Sequence, residues 1–161
     1  GSMRKLKIYL DTSVINFLFA DDAPDYMKAT IDFFDNYLGD FDAYISDVVL
    51  SEIKRTQDAE KKELLLSAIK RYNLQVYSDL NEEIETMAIE YTNLGIIPMK
   101  KFDDAMHIAF STYYEFDILL SWNFKHLSNI KKQREVNVVN IKNGYSKPLV
   151  LINPLEVIYE K

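Results

Sequence analysis

The sequence contains no cysteine and only two histidines, His107 and His126. That excludes disulfides, thiolate chemistry and any zinc site built from Cys and His, so a metal held by this chain would have to be hard and oxygen-ligated. Positive charge is also scarce: 19 Lys and Arg stand against 25 Asp and Glu, for a net charge of −6 and a pI near 5.0. This balance argues against a general nucleic-acid-coating protein. Long apolar runs are missing too. The stretch LKIYLDTSVINFLFADDA superficially resembles a signal peptide, but Asp11 interrupts it, and nothing else reaches the length of a membrane span. The expectation is a soluble cytoplasmic protein with no membrane partner. Gly1 and Ser2, ahead of Met3, look like a cloning scar, which leaves 3–161 as one expected domain. A chain of this length with 48% hydrophobic residues can fill a single core.

The charges that are present are unevenly spread. From Asp11 to Glu52 ten acids stand against one base, Lys28, whereas from Lys100 to Lys147 eight bases stand against five acids. One side of an acidic protein could therefore hold a polyanion, although solvated lysines are the ordinary outcome.

Hydrophobic patterning gives alternating strands and helices. LKIYL is apolar, short and ends at Asp11, so it reads as a buried strand; DAYIS, LQVY and DILLS read as three more, and EVNVVNI as a fifth. Helices are expected over 26–38, over DVVLSEIKR with Ser46 or Asp47 as cap, over 59–72, from the cap Asn81 to Leu94 with Gly95 as stop, and over 102–114. A last short helix starts at Pro154, with Asn153 as its cap. This alternation implies an α/β fold: a three-layer α/β/α sandwich around a central, mostly parallel sheet of four to five strands. Ligands in such sheets bind beyond the carboxyl ends of the strands, which is where Asp11 falls.

The stretch KKFDDAMHIAFS sets two aspartates and a histidine at the start of an apolar helix. Either acid could serve as an N-terminal cap, worth about 0.3–1 kcal/mol through the helix dipole. One cap suffices. Asp103 is the expected cap, and Asp104, on the side of Ile108, is expected to point inward. Asp11 would be costly as an unpaired carboxylate at the edge of the core, so it needs a partner. Glu52 follows the apolar VVLS and faces away from Lys54 and Arg55. A cation shared among such carboxylates, with no Cys or His beside them, would be Mg²⁺ or Mn²⁺. His107 reads as a core histidine hydrogen-bonded to a neighbour. His126, in NFKHL, could meet a phosphate together with Lys125, which is the lesser reading. The aromatic residues offer stacking surfaces in principle, but most are spaced as core.

Taken in order, IYLDTSVI, VVLSEI, KKFDDAMHIAF and DILLSWNFKHL resemble the PIN-domain ribonucleases, in particular the VapC-type toxins of bacterial and archaeal toxin–antitoxin pairs. The resemblance runs from Lys7 to about Leu127. It implies a PIN-like fold and a metal-dependent endoribonuclease with an acidic Mg²⁺ or Mn²⁺ site. Carried over by position, the catalytic and metal-binding residues are Asp11, Glu52 and Asp104, with Asn123 where the family commonly has aspartate and Ser13 as a hydroxyl beside the acids. The implied reaction uses an activated water, needs no 2′-hydroxyl and leaves a 5′-phosphate. The implied partners are an RNA substrate, a cognate antitoxin protein whose segment blocks the acidic cleft, and a second copy in a homodimer, with DFFDNYLG as a possible contact. Asn123 removes one negative charge from the site, and this motivates an alternative: a catalytically weak PIN-like module that binds nucleic acid or protein. A strand-end aspartate nucleophile of the phosphatase type is disfavoured, because those enzymes carry D-x-D and position 13 is serine.

Overall fold

The strands β1 (Lys7–Leu10), β2 (Asp42–Ser46), β3 (Gln75–Tyr77), β4 (Ile118–Leu120) and β5 (Val150–Ile152) form one sheet in the computed structural model, which describes residues 4–124 and 128–159. Their order is β3-β2-β1-β4-β5, and every neighbouring pair is parallel. Parallel neighbours need crossovers, which helices supply. Between β1 and β2 run α1 (Thr12–Asn16) and α2 (Pro24–Asn36); between β2 and β3, α3 (Asp47–Lys54) and α4 (Ala59–Arg71). The third crossover holds α5 (Glu82–Asn93) and α6 (Phe102–Tyr113), the fourth holds α7 (Ser128–Lys142), and α8 (Pro154–Tyr159) follows β5.

The centre of the sheet explains the layers. Ile8, Tyr9 and Leu10 are all fully buried. Successive strand residues point to opposite faces, so both faces of β1 must be covered. Each fully buried Ile or Leu contributes about 1.5–3 kcal/mol from removed apolar surface, which makes this short strand a strong organiser. The expected three-layer α/β/α sandwich is therefore the observed one, with a sheet that is entirely parallel.

Local signals act as their chemistry directs. Ser46 caps α3, its hydroxyl accepting from Val48 N at 3.1 Å, and Asn81 caps α5, accepting from Ile84 N at 3.0 Å. Gly95, just past α5, sits at φ +73°, where a side chain would be strained.

One expected element is corrected. EVNVVNI is not a strand but part of α7. Its β-branched residues suit a strand, yet Val136, Val139 and Asn140 are buried while Val138 and Ile141 are exposed, which is helical spacing. Tertiary contacts decide it: Tyr91 donates to the Asn140 side-chain oxygen, and Asn140 Nδ2 donates to Thr112 Oγ1 at 2.9 Å. The fifth strand is instead the three-residue VLI of β5, too short to show a period. Its outer edge is occupied by side chains of α7. Gln133 Oε1 accepts from Leu151 N at 2.9 Å, and Asn137 bonds both the N–H and the C=O of Leu149 at 3.0 and 3.1 Å. An otherwise open strand edge is thereby closed.

Candidate active site

β1 and β4 lie side by side in register, Leu10 opposite Leu120, so whatever follows each strand meets at one edge of the sheet. Asp11 follows β1, and its N–H bonds Leu120 O at 3.2 Å, extending the ladder by one step. Its carboxylate caps α1, with Oδ1 accepting from Ser13 Oγ at 2.5 Å and from Val14 N at 3.3 Å. The Ser13 hydroxyl also accepts from Trp122 N at 2.9 Å, so it ties the segment after β4 to Asp11. Trp122 is itself anchored, its indole N–H donating to Thr30 Oγ1 at 2.8 Å. Ser121 Oγ accepts from Asn123 N at 2.9 Å and lies 3.4 Å from Ser13 Oγ. The DTS motif is thus part of the scaffold that holds Asp11 and Asn123.

Asp104 reaches the same edge from α6. Asn123 Nδ2 donates to Asp104 Oδ1 at 3.0 Å, so these two expected site residues are in direct contact. The expected capping role of Asp103 is corrected. A 3₁₀ turn over Met99–Lys101 leads into α6, no side chain caps the helix, and Asp103 is already its second residue. Its carboxylate instead pairs with Arg55 at 2.8 Å on the surface.

Glu52 shares the face of α3 that carries the buried Val48 and Val49, four and three residues before it. Its Oε1 accepts from Thr12 Oγ1 and from His107 Nε2, each at 2.6 Å. His107, one turn after Asp104, is 2% exposed, and its Nδ1 lies 2.6 Å from the Tyr9 hydroxyl. The reading of His107 as a hydrogen-bonded core histidine is therefore correct, and its partner is Glu52, one of the expected site acids. His126 and Lys125 lie outside the described residues.

The electrostatics separate the acids. Burial dominates at Asp11 and raises its pKa to about 6, against the lowering influence of His107 and the Ser121 and Ser13 hydroxyls, while the charge of Asp104 pushes it further up. Burial also raises Asp104, with Glu52 adding to the rise and His107 and Asn123 opposing it. At Glu52 burial pulls upward too, but the hydrogen bond and charge of His107, with Thr12 and Arg55, outweigh it, and the carboxyl lies below its ordinary range. His107 shows the matching behaviour: burial favours the neutral ring, yet Glu52, Asp11 and Asp104 together raise its pKa. Glu52 and His107 are thus a matched pair, whereas Asp11 has no ion-pair partner among the described residues.

This donor set fits a hard divalent cation of a particular kind. Among the described residues no three His, Cys, Asp or Glu side chains come together as a group that could hold a metal ion. Two carboxylates, Asp11 and Asp104, with the neighbouring amide of Asn123, suit an ion that keeps several of its waters, as Mg²⁺ does. The raised pKa values supply the thermodynamic reason: a buried Asp11 and a half-buried Asp104 that raises it further gain most from an added cation.

Thr12, Ser121 and Tyr9 were not anticipated from the sequence. The hydroxyls of DTS and LLS beside the acids were the available signal for the first two; Tyr9, inside an apolar strand, gave none.

The sequence matches the PIN domain family model over residues 8–132. No curated protein sequence matches the chain. Among solved structures, the fold is similar to a chain in the crystal structure of VapBC2 from Rickettsia felis bound to a DNA fragment from their promoter. The TM-score is 0.55 at 15% identity, covering 92% of this chain and 98% of that one. Among the described residues no helix is long and apolar enough to cross a membrane.

Proposed function

This chain belongs to the PIN-domain family, whose members are typically nucleases, and from that premise we propose that it is a Mg²⁺- or Mn²⁺-dependent endoribonuclease, the toxin of a toxin–antitoxin pair. The observation that carries the proposal is the pair Asp11 and Asp104, brought to the carboxyl edge of the central strands with raised pKa values, Asp11 having no ion-pair partner among the described residues.

Asp11 and Asp104 would hold the cation, with Asn123 beside Asp104 and Glu52 contributing from α3. A divalent ion bound there would supply charge neutralisation at the phosphate and a lowered pKa for the attacking water. The protein's own part is positioning. Ser13 and Val14 N–H fix Asp11, Asn123 orients Asp104, and His107 with Thr12 fixes Glu52. Phosphodiester cleavage asks little more of side chains than that.

The toxin reading draws on the structural likeness to a VapBC2 chain and implies an antitoxin protein that covers the acidic edge, together with a homodimer. In DFFDNYLG, Phe33 and Phe34 are buried, so Tyr37 and Leu38 are the apolar side chains of that stretch left partly accessible for such a contact.

The test is cleavage of a mixed pool of structured RNAs with Mg²⁺ or Mn²⁺ by the wild type, Asp104→Asn and Asp103→Asn. Cutting by the wild type and Asp103→Asn, lost in Asp104→Asn, is the expected result, because Asp103 is engaged with Arg55 rather than the site. No cutting by any of the three, with either ion, would move the assignment to a PIN-like binding module, the reading that Asn123 favours.

A further inference from the structure

A chain of buried polar groups crosses the core and ends on Glu52. Ser46 Oγ and the Tyr9 hydroxyl are 2.6 Å apart, the Tyr9 hydroxyl and His107 Nδ1 are 2.6 Å apart, and His107 Nε2 and Glu52 Oε1 are 2.6 Å apart. Ser46 and Tyr9 are fully buried and His107 is 2% exposed. No bulk water reaches these groups, so each must find its partner within the protein.

The donor directions are constrained. His107 Nε2 faces a carboxylate, which only accepts, so it carries the hydrogen and donates to Glu52. The Tyr9 hydroxyl can donate to Nδ1 while accepting from Ser46, or accept from Nδ1–H while donating to Ser46. The chain closes either way, and the bond to Glu52 is the same in both. Thr12, at the start of α1, adds a second donor to the same oxygen. Two elements, α1 and α6, thus converge on Oε1, while Oε2 accepts no hydrogen bond among the described residues and the Glu52 side chain is 24% exposed. A core histidine that only filled space would not need a chain of hydroxyls behind it and a half-buried site acid in front of it.

We propose that His107 is a positioning residue: braced by Tyr9 and Ser46, it holds one oxygen of Glu52 inward and so presents the other to the cation and phosphate at the acidic edge. The inference rests on the metal-nuclease reading and adds residues that touch neither ion nor RNA. Outer partners of this type set ligand orientation, and their loss weakens metal affinity by about 10- to 100-fold.

The test is Mn²⁺ binding in the absence of RNA, followed by the electron paramagnetic resonance of the free ion, with thermal unfolding recorded on the same samples. The variants are Asp104→Asn, His107→Leu, His107→Gln and Tyr9→Phe. The wild type binds Mn²⁺ and Asp104→Asn does not. His107→Leu weakens binding about tenfold or more, and His107→Gln, whose amide N–H can stand where Nε2–H does, recovers most of it. Tyr9→Phe, which leaves Nδ1 without its hydroxyl, weakens binding in the same direction while keeping the ring. Should His107→Leu fail to fold, Tyr9→Phe decides by the same criterion. Mn²⁺ binding that Asp104→Asn abolishes but folded His107→Leu and Tyr9→Phe leave unchanged would overturn the positioning role alone. No binding by the wild type would overturn the metal reading and this inference together.

Discussion

Asp117 immediately precedes β4 and Asp11 immediately follows its neighbour β1, so these two carboxylates mark opposite ends of the same pair of strands. Asp117 is surrounded by bases. Lys147 Nζ lies 2.9 Å from Oδ1, and Oδ2 accepts the Lys7 N–H at 2.8 Å with Arg4 at 3.9 Å. Burial pulls its pKa up, but the Lys147 and Lys7 hydrogen bonds and the nearby cations win, and the carboxyl stays below its ordinary range. At Asp11 burial wins and the pKa rises to about 6, because no base among the described residues forms an ion pair with it: His107 acts on it only from a distance while bonded to Glu52, and its direct partners are hydroxyls and a backbone N–H. The same residue type is a finished structural joint at one end of the sheet and an unbalanced charge at the other. The imbalance is where an external cation has most to offer, and where a functional assignment belongs.

The largest test of this contrast removes charge from the acidic end. Asp104→Asn should lower RNA cleavage by on the order of 10³-fold, the equivalent of several kcal/mol of lost transition-state stabilisation, with the fold unchanged by circular dichroism. Asp117→Asn should leave the rate within error.

Next in size is a stability effect of unusual sign. A carboxyl whose folded pKa lies above its unfolded value favours folding fully below the unfolded pKa, near 3.8, and loses that contribution as pH rises through about 6. The loss is on the order of 3 kcal/mol. Asp11→Asn keeps an oxygen for Ser13 and Val14 N–H, so at pH 7.5 and without divalent ions it should be more stable than the wild type by about 1–3 kcal/mol. That advantage should vanish below about pH 4. Denaturant midpoints across pH 4–8 measure it, and an advantage that persists at pH 4 would refute the electrostatic cause. Saturating Mn²⁺ should erase the gap by stabilising only the wild type, about 2.7 kcal/mol at 100 times Kd.

The smallest effect is at the basic end and runs the other way. Asp117→Asn should cost about 1–2 kcal/mol near neutral pH, the worth of a hydrogen bond to a charged group. Because the folded pKa of Asp117 is depressed, its contribution is present above the unfolded value and fades as pH falls through the folded one. The deficit should therefore shrink on acidification well below pH 4.

Much of this could be read from the chain before the fold was known, and the rest could not for identifiable reasons. β1, β2 and β4 announce themselves because each is a short apolar run bounded by polar residues, and Ser46, Asn81 and Gly95 signal helix ends through local chemistry. Asp11, Glu52, Asp104 and Asn123 were placed together by motif order; the structure puts Asn123 on Asp104, while Glu52 turns out to be held by His107. EVNVVNI misled because side-chain branching is local, whereas the burial of Val136 and Val139 is tertiary and the bonding of Asn140 depends on Tyr91 of α5 and Thr112 of α6. Asp103 misled because the preceding 3₁₀ turn shifted the helix start ahead of it. The link from Tyr9 to His107 spans 98 residues of sequence, and no periodicity encodes such a contact.

The register of β1 against β4 also governs when the chain acquires its chemistry. Ser13 and the backbone N–H of Trp122 are 109 residues apart in sequence, and they meet only after β1 and β4 have paired. Such non-local closure is slow compared with helix formation. During synthesis the four segments that carry Asp11, Glu52, Asp104 and Asn123 emerge in turn, as separate solvated side chains with ordinary acidities. In the proposed nuclease competence would therefore arrive in one step, when the last of them docks, and a chain cut short before Asn123 would carry the acids without the proposed site.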